Sequence, residues 1–297
     1  MVLEGSTELK DRPEHRSSTV QADLLVICVN YRKPAETRRF VSSVLEQAMT
    51  SSLHVIVVDN SPAGEENGVP DSVKADPHVE SFGNGKNLGY FGGAAAALRD
   101  FRAANPQPEW VVVCNPDIYL PQHDVLQRLV EMHRGDEPAV IAPSIHTLNS
   151  AVDQNPYMRV RPQSYRMRLN SLIFSTYPVD VVYQSVSYLK HRVLDGMSKE
   201  PPAGAPRFAE KIYAPHGSFI ALHRSYFERG GTLDHGAFLF GEEIFVAETA
   251  RRYDLTVLYE PAVAIQHTER SPGRGLWNRD TSRYRRQASR YLARTFF

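Results

Sequence analysis

Cysteine, net charge and long apolar runs are all scarce in this sequence, and each scarcity removes a class of protein. Of 297 residues only Cys28 and Cys114 are cysteines, each inside an apolar run, LLVICVNY and WVVVCNPD. That rules out a disulfide framework or a cysteine-rich zinc site, and reads as two buried strand thiols in a reducing cytosol. The 34 basic and 34 acidic residues cancel, so nothing global favours a nucleic-acid partner. The amino terminus, MVLEGSTELKDRPEHRSSTVQ, has no apolar core of a secretion signal, and no apolar run approaches the length of a membrane span. A soluble, cytoplasmic protein is expected. No internal repeat or low-complexity tract is present.

What is present is enough apolar content, 42% of residues, for a substantial core. After a loose arm over 1–21, short β-branched runs alternate with helical spacing. Leu24 to Val29 ends at Asn30-Tyr31, and Pro34 opens a helical pattern through Phe40, Val44, Leu45 and Ala48. Leu53 to Val58 ends at Asp59-Asn60. In NGKNLGYFGGAAAALRDF the glycines open a turn and the alanines continue as a helix. Trp110 to Cys114 then stops at Asn115-Pro116-Asp117.

This β-α-β order implies an α/β fold with a largely parallel, Rossmann-like sheet and helices on both faces, with ligands at the carboxyl ends of the strands. The polar tips then line one cleft, although Asn, Asp and Pro also simply terminate strands. Residues 150–210, rich in Tyr, Arg and Pro with little periodicity, read as an insertion over the cleft. Further on, APHGSFIALHRSYF reads as a strand beside a Gly turn, GEEIFVAETARRYD as a helix and LTVLYEPAVAIQH as a strand pair.

Seven segments in order, VICVNYRKPAET, LHVIVVDNSPAG, NLGYFGGAAAAL, VVVCNPDIYLP, APHGSFIALHRSYFERGG, FLFGEEIFVAETARR and VLYEPAVAIQHTERS, resemble the family 2 glycosyltransferases of the GT-A fold, in particular a rhamnosyltransferase-like branch of bacterial surface-polysaccharide enzymes. The resemblance covers about 23–272. It implies a catalytic domain over 22–272, with a nucleotide-binding half (22–120) and an acceptor-binding half (121–272), followed by a basic, aromatic helix over 273–297. It also implies an inverting transfer of a sugar from a nucleotide-diphosphate donor to a glycan or polyprenyl-diphosphate-linked acceptor. The expected donor is dTDP-rhamnose first, with UDP-galactofuranose or a UDP-hexose next.

By the same resemblance Asp59 contacts the nucleoside, with Asn30, Tyr31 and Asn60 near the same end. Asn87, Gly89 and Gly93 belong to a turn whose glycines allow close approach of a ligand. Asn115 and Asp117 occupy the place of the acidic motif that holds a divalent cation, Mg2+ or Mn2+, on the diphosphate, and His267 either completes that metal site or is structural. His216 and Gly217 border donor and acceptor. A sugar hydroxyl attacks poorly until its proton leaves, so a base is needed on the acceptor side. The pair Glu242-Glu243 opens a helix, where acids also serve the dipole alone. The resemblance maps the base to Glu243 and leaves Glu242 to orient, with the reverse assignment open because Glu is longer than the usual Asp.

His267 to Ser271 reads as a mobile lid, with Arg270 or Arg274 reaching the diphosphate. In the last segment Tyr284, Ala288, Tyr291 and Leu292 share one helical face. That face either packs on the catalytic domain or touches the inner membrane leaflet. Two rival functions remain: a nucleotidylyltransferase, against which VNYRKPAET lacks the glycine-rich loop, and a non-catalytic nucleotide-sugar or glycan-binding protein.

Overall fold

The structure, a computed structural model, describes residues 20–62, 70–83, 85–132, 138–147, 150–186, 208–268 and 278–297. Four parallel strands form its nucleus: β1 (Leu24–Asn30), β2 (Leu53–Asp59), β3 (Val79–Phe82) and β4 (Trp110–Cys114). The full sheet adds β5 (Ile118–Tyr119), β6 (Val140–Thr147), β7 (Ser150–Asp153), β8 (Glu210–Lys211), β9 (Phe219–His223) and β10 (Val257–His267). Its order is β3-β2-β1-β4-β9-β6-β10-β5, with β7 on β6 and β8 on β10.

Every residue of β1 is buried because the sheet is covered on both faces, so successive side chains serve opposite layers. Leu25, Ile27 and Val29 pack with Phe91, Leu98, Phe101 and Phe245 on one side. Leu24, Val26 and Cys28 pack with Phe40, Val44 and Leu129 on the other. The first layer holds α3 (Tyr90–Ala104) and α8 (Glu242–Arg252), and the second holds α1 (Pro34–Leu45) and α4 (Val125–Glu131). The short helices α2 (Asp71–Lys74) and α7 (Arg224–Glu228) lie between strands in sequence. Both cysteines are buried and free.

The chain leaves β1 toward β2 and β3, then returns to β4 on the other side of β1. Such a reversal opens a crevice beyond the strand ends. Register makes it concrete: Asn30 pairs with Asp59, and Cys28 with Cys114, so the three polar tips stand side by side.

Four sequence readings change. β3 is too short and too polar to have a signature, only Val79 of its four residues being buried. LTVLYEPAVAIQH is one strand, not two, because the register shift between Glu260 and Ala264 takes up Pro261, where a missing N–H breaks no ladder. The helix α3 begins at Tyr90, so Gly92 and Gly93 lie inside its first turn instead of before it. Among the described residues of 150–210 there are two helices, α5 (Ser164–Ile173) and α6 (177–186), and α5 packs against the carboxyl-terminal helix α9 (Arg279–Thr295). The turn 153–158 reaches the cleft through Asn155 and Tyr157, which meet His216.

For α9 the structure selects packing. Ala288 and Leu292 are buried, Tyr291 lies 5.1 Å from the His235 ring, and Tyr284 lies 4.6 Å from Phe238. The arm up to residue 19, the lid from Glu269 to Ser271 with Arg270, and Arg274 lie outside the described residues.

Candidate active site

At the tips of β1 and β2 the polar side chains first hold one another. Asn30, fully buried, donates to Asp59 Oδ1 at 3.4 Å and accepts from the Lys33 N–H at 3.0 Å. Asn60 donates to the Gly89 carbonyl at 2.8 Å and accepts from the Leu88 N–H at 3.3 Å. Asn87 accepts from the Gly89 N–H at 2.9 Å. Asn30 therefore joins the tips of β1 and β2 to each other, and Asn60 ties them to the Gly-rich turn. Gly93 explains the fit, since a Cβ there would stand 3.0 Å from Val58 Cγ1 and 3.1 Å from Asn60 Nδ2. Gly89, at φ +79, takes the left-handed backbone that glycine favours. Asp59 is partly exposed and Tyr31 is 42% exposed at the lip, and these two remain presented to a ligand.

The turn between β4 and β5 carries Asp117, and the pairing of Ile118 with His267 brings the end of β10 beside it. Thr268 donates to the Asp117 carbonyl through both N–H and hydroxyl, at 2.8 and 2.9 Å. Lys33 Nζ lies 2.7 Å from Asp117 Oδ2. His267 Nε2 approaches Asp117 Oδ1 to 3.3 Å but out of line for a hydrogen bond, so this buried oxygen has none. Burial pushes the Asp117 carboxyl up, yet His267 and Lys33 outweigh it and hold the group well below its ordinary value. His267 Nδ1 meets Gln154 Oε1 at 2.9 Å, which fixes the ring.

An unbonded buried carboxylate oxygen facing an imidazole nitrogen is a donor set that suits Mg2+ or Mn2+. Among the described residues no group of three or more His, Cys, Asp or Glu gathers. Asp117 and His267 could thus supply two ligands, leaving the remainder to substrate phosphate and water.

The loop before β9 joins this cluster to the acid pair. His216 stacks edge-on with His267 at 6.0 Å and with Tyr157 at 5.8 Å. Its Nδ1 accepts from the Ser218 N–H at 3.2 Å, which assigns the proton of the neutral ring to Nε2. Burial first, then His267, lowers its pKa to about 4 against the opposing pull of Asp117 and Asp153. His216 is a neutral donor at pH 7. The backbone N–H of His216 donates to Asn155 Oδ1 at 2.8 Å, and Asn155 is anchored to the Pro143 carbonyl at 2.8 Å. Tyr90, at the start of α3, donates its hydroxyl proton to the Gly217 carbonyl at 2.8 Å.

Glu242 and Glu243 open α8 after Gly241, whose φ of +85 turns the chain into the helix. Glu242 is buried, and Glu243 keeps a partial opening to solvent. Burial, then the neighbouring Glu243 charge, raises Glu242 to about 8. Burial also raises Glu243, opposed by the N–H groups of Glu243 and Gly217. Two coupled acids titrate as a pair, and a charge on Glu243 disfavours a second on Glu242. Their charge in turn pushes Tyr157, first through Glu243, up to about 12.

The loop that delivers this pair rests on α9. Phe240 has φ +73, an uncommon backbone for a non-glycine residue. His235 Nε2 meets its carbonyl at 3.0 Å, and the Arg285 guanidinium lies 5.8 Å from its ring. A Cβ at Gly241 would stand 2.6 Å from Leu292 Cδ1. Farther along α8, Glu248 is buried against Arg161, Arg251 and the Tyr213 hydroxyl, at 2.6, 3.0 and 2.7 Å.

The structure therefore brings Asp117, His267, His216, Gly217, Glu242 and Glu243 into one connected cluster, and Asn30, Asp59, Asn60, Asn87, Gly89 and Gly93 into a second, with Tyr90 between them. Asn115 joins through its backbone, donating to the Ser218 carbonyl at 2.9 Å. Sequence reasoning missed Lys33, Tyr90, Gln154, Asn155 and Tyr157. Of these only Lys33 had a usable signal, a cation just past a strand tip.

Comparison with known proteins follows the same outline. The family model described as Glycosyl transferase family 2 matches residues 25–195. The chain is 25% identical over 261 residues, 84% of its length and 78% of the relative, to N-acetylglucosaminyl-diphospho-decaprenol L-rhamnosyltransferase of Mycobacterium tuberculosis. It is 24% identical over 242 residues to the low-salt glycan biosynthesis hexosyltransferase Agl10 of Haloferax volcanii, 80% of this chain but 65% of that relative. Among solved structures, GalNAc-T7 with UDP, GalNAc and Mn2+ aligns with a TM-score of 0.55 at 14% identity, over 85% of this chain and 45% of that one. S. aureus TarS 1-349 in complex with UDP-GlcNAc aligns at 0.51 and 14%, over 86% and 60%. These two likenesses show the GT-A fold.

Proposed function

Given that the chain belongs to glycosyl transferase family 2, we propose that it transfers a sugar, with inversion, from a nucleotide-diphosphate donor to a hydroxyl of a glycan or lipid-linked glycan. The observation that carries this is the placement of Glu243. It lies against Gly217, one residue from His216, whose ring meets the Asp117–His267 cluster. A base and a phosphate-handling end thus face one cleft.

In this reading the nucleoside lies against Tyr31 and Asp59, and the diphosphate lies toward Asp117. The ionised Glu243 takes the proton of the acceptor hydroxyl as its oxygen bonds to the anomeric carbon from the face opposite the diphosphate. The bond from that carbon to the diphosphate oxygen breaks, and the diphosphate leaves with the electron pair. Glu242, protonated and buried, keeps Glu243 as the single charge of the pair. His216 offers its Nε2 proton within the cleft, and Lys33 supplies a cation near the leaving group. A divalent cation held by Asp117 and His267 would neutralise charge on the departing diphosphate.

For the donor we propose dTDP-rhamnose, supported by likeness to the mycobacterial L-rhamnosyltransferase, whose acceptor is a diphospho-decaprenol glycan. A UDP-hexose is the second reading, and likeness to a hexosyltransferase supports it. Thermal shift against UDP, dTDP and GDP, with and without Mn2+, tests the donor. Metal-dependent stabilisation by dTDP is expected, and preference for GDP overturns the assignment. Transfer is tested with a panel of nucleotide sugars and lipid-linked acceptors. Nucleotide binding with no transfer to any of them would make the protein a binding module.

A further inference from the structure

The two helices after the cleft turn their apolar sides outward. On α5, Tyr165, Leu169 and Leu172 are 60, 51 and 67% exposed, and their spacing puts them on one face. On α6, Val179, Val182 and Val186 are 47, 62 and 62% exposed, again on one face. The opposite side of α6 is the one that docks, with Asp180 fully buried in a 2.7 Å ion pair to Arg285 of α9. This is the reverse of an ordinary surface helix; Phe174, just after α5, meets Tyr183 of α6 at 5.3 Å, so the two helices adjoin, and exposed apolar residues grouped in this way mark an interaction site.

Charge distinguishes the partner. Residues 157–186 and 278–297 together carry ten arginines and two aspartates, in a chain whose net charge is zero. One of those aspartates is Asp180, already neutralised by Arg285. Arg166 and Arg168 on α5, and Arg279, Arg283 and Arg290 on α9, are exposed, and Arg279 lies 5.6 Å from the Tyr177 ring at the start of α6. A second copy of the chain docking here by two-fold symmetry would set this arginine fringe against itself. An anionic bilayer surface satisfies both the apolar face and the fringe. Among the described residues no helix is long and apolar enough to cross a membrane, so the contact would lie in the interface plane.

We propose that α5 and α6 form a docking face for an anionic lipid surface, with the arginines of α5 and α9 at the headgroups. The face deepens the reading of a lipid-linked acceptor, on which its purpose rests. The short stretch 158–163 links α5 to Tyr157, whose ring meets His216, so docking sets the acceptor side of the cleft at the membrane. The surface is not the α9 face formed by Ala288 and Leu292, which is buried.

The test is sedimentation of the full chain, without nucleotide, with phosphatidylcholine vesicles and with vesicles that also contain phosphatidylglycerol. Binding should be at least about tenfold stronger to the anionic vesicles and should weaken with salt. Leu172→Asp with Val182→Asp should reduce it about tenfold or more, as should Arg166→Glu with Arg283→Glu. All four positions are exposed, and retention of the thermal transition and of nucleotide binding shows that each variant is folded. Equal binding to both vesicle types, no binding, or binding unchanged in the variants overturns the proposal. So does a wild-type dimer in light scattering that the Asp variant dissolves. Since no step of this assay needs nucleotide or transfer, its failure leaves the transferase reading standing, and a failed transfer assay leaves it untouched.

Discussion

Glu243 rests its carboxylate against Gly217, where a Cβ would stand 2.6 Å from Oε1. The N–H of the same glycine opposes the rise that burial imposes on that carboxyl, and its carbonyl accepts from the Tyr90 hydroxyl. A side chain at this position would displace the Glu243 carboxylate, with no unusual backbone angle invoked. Gly217→Ala must push Glu243 aside by several tenths of an ångström or more. We expect kcat to fall about 10²-fold, while thermal shift by nucleotide stays near wild type.

Asp117 links Lys33 and His267, and its buried Oδ1 has no hydrogen bond. Asp117→Asn removes the charge that Lys33 and His267 hold ionised. Mn2+-dependent stabilisation by nucleotide should disappear, and transfer should fall on the order of 10²-fold or more. If Mn2+ still adds to the nucleotide shift in this variant, Asp117 is not the ligand.

The acid pair also makes a prediction about stability. Glu242 is raised from 4.5 to about 8, so across that window the folded chain binds more protons than the unfolded chain. Stability contributed by the protonated group is therefore lost as pH rises from 4.5 through about 8. Glu242→Gln mimics the protonated form throughout. Its Tm relative to wild type should increase with pH over this range, and a constant difference would refute the shift.

Much of the nucleus was legible because physics there is local. Leu24–Asn30, Leu53–Asp59 and Trp110–Cys114 are buried on both faces, so they read as continuous apolar runs ending in polar tips. Pro34 and the acids of α8 marked helix starts in the same way. The cluster around Glu243 was legible only in part. Gln154, Asn155 and Tyr157 reach the site through the packing of a turn against the loop before β9, and nothing in their neighbours announces it. Asn60, expected near the donor, has its amide tied to Leu88 and Gly89, a link between strand tip and turn that no local pattern announces. The helix α5 escaped the periodicity argument because apolar residues occupy opposite faces, Met167 buried and Tyr165, Leu169 and Leu172 exposed, so no single stripe stands out.

The carboxyl-terminal helix holds the loop that carries the acids, and one buried ion pair anchors it on α6. Arg285 satisfies Asp180 through two nitrogens, at 2.7 and 3.1 Å, in a site where Asp180 is fully buried. Arg285→Ala leaves that charge unpaired and should cost about 3–5 kcal/mol in chemical unfolding. Adding Asp180→Ala should recover part of the loss. A double variant as unstable as the sum of its single variants would mean that the two residues act independently.

The central claim is that Glu243 is the base, and Glu243→Gln tests it most directly by keeping shape and removing basicity. Transfer and nucleotide affinity are measured on the same preparation of this variant. We predict that transfer is abolished while the nucleotide-induced thermal shift is nearly that of wild type. Loss of both together would contradict the claim and make the acid pair structural, and transfer retained at wild-type rates would move the base elsewhere.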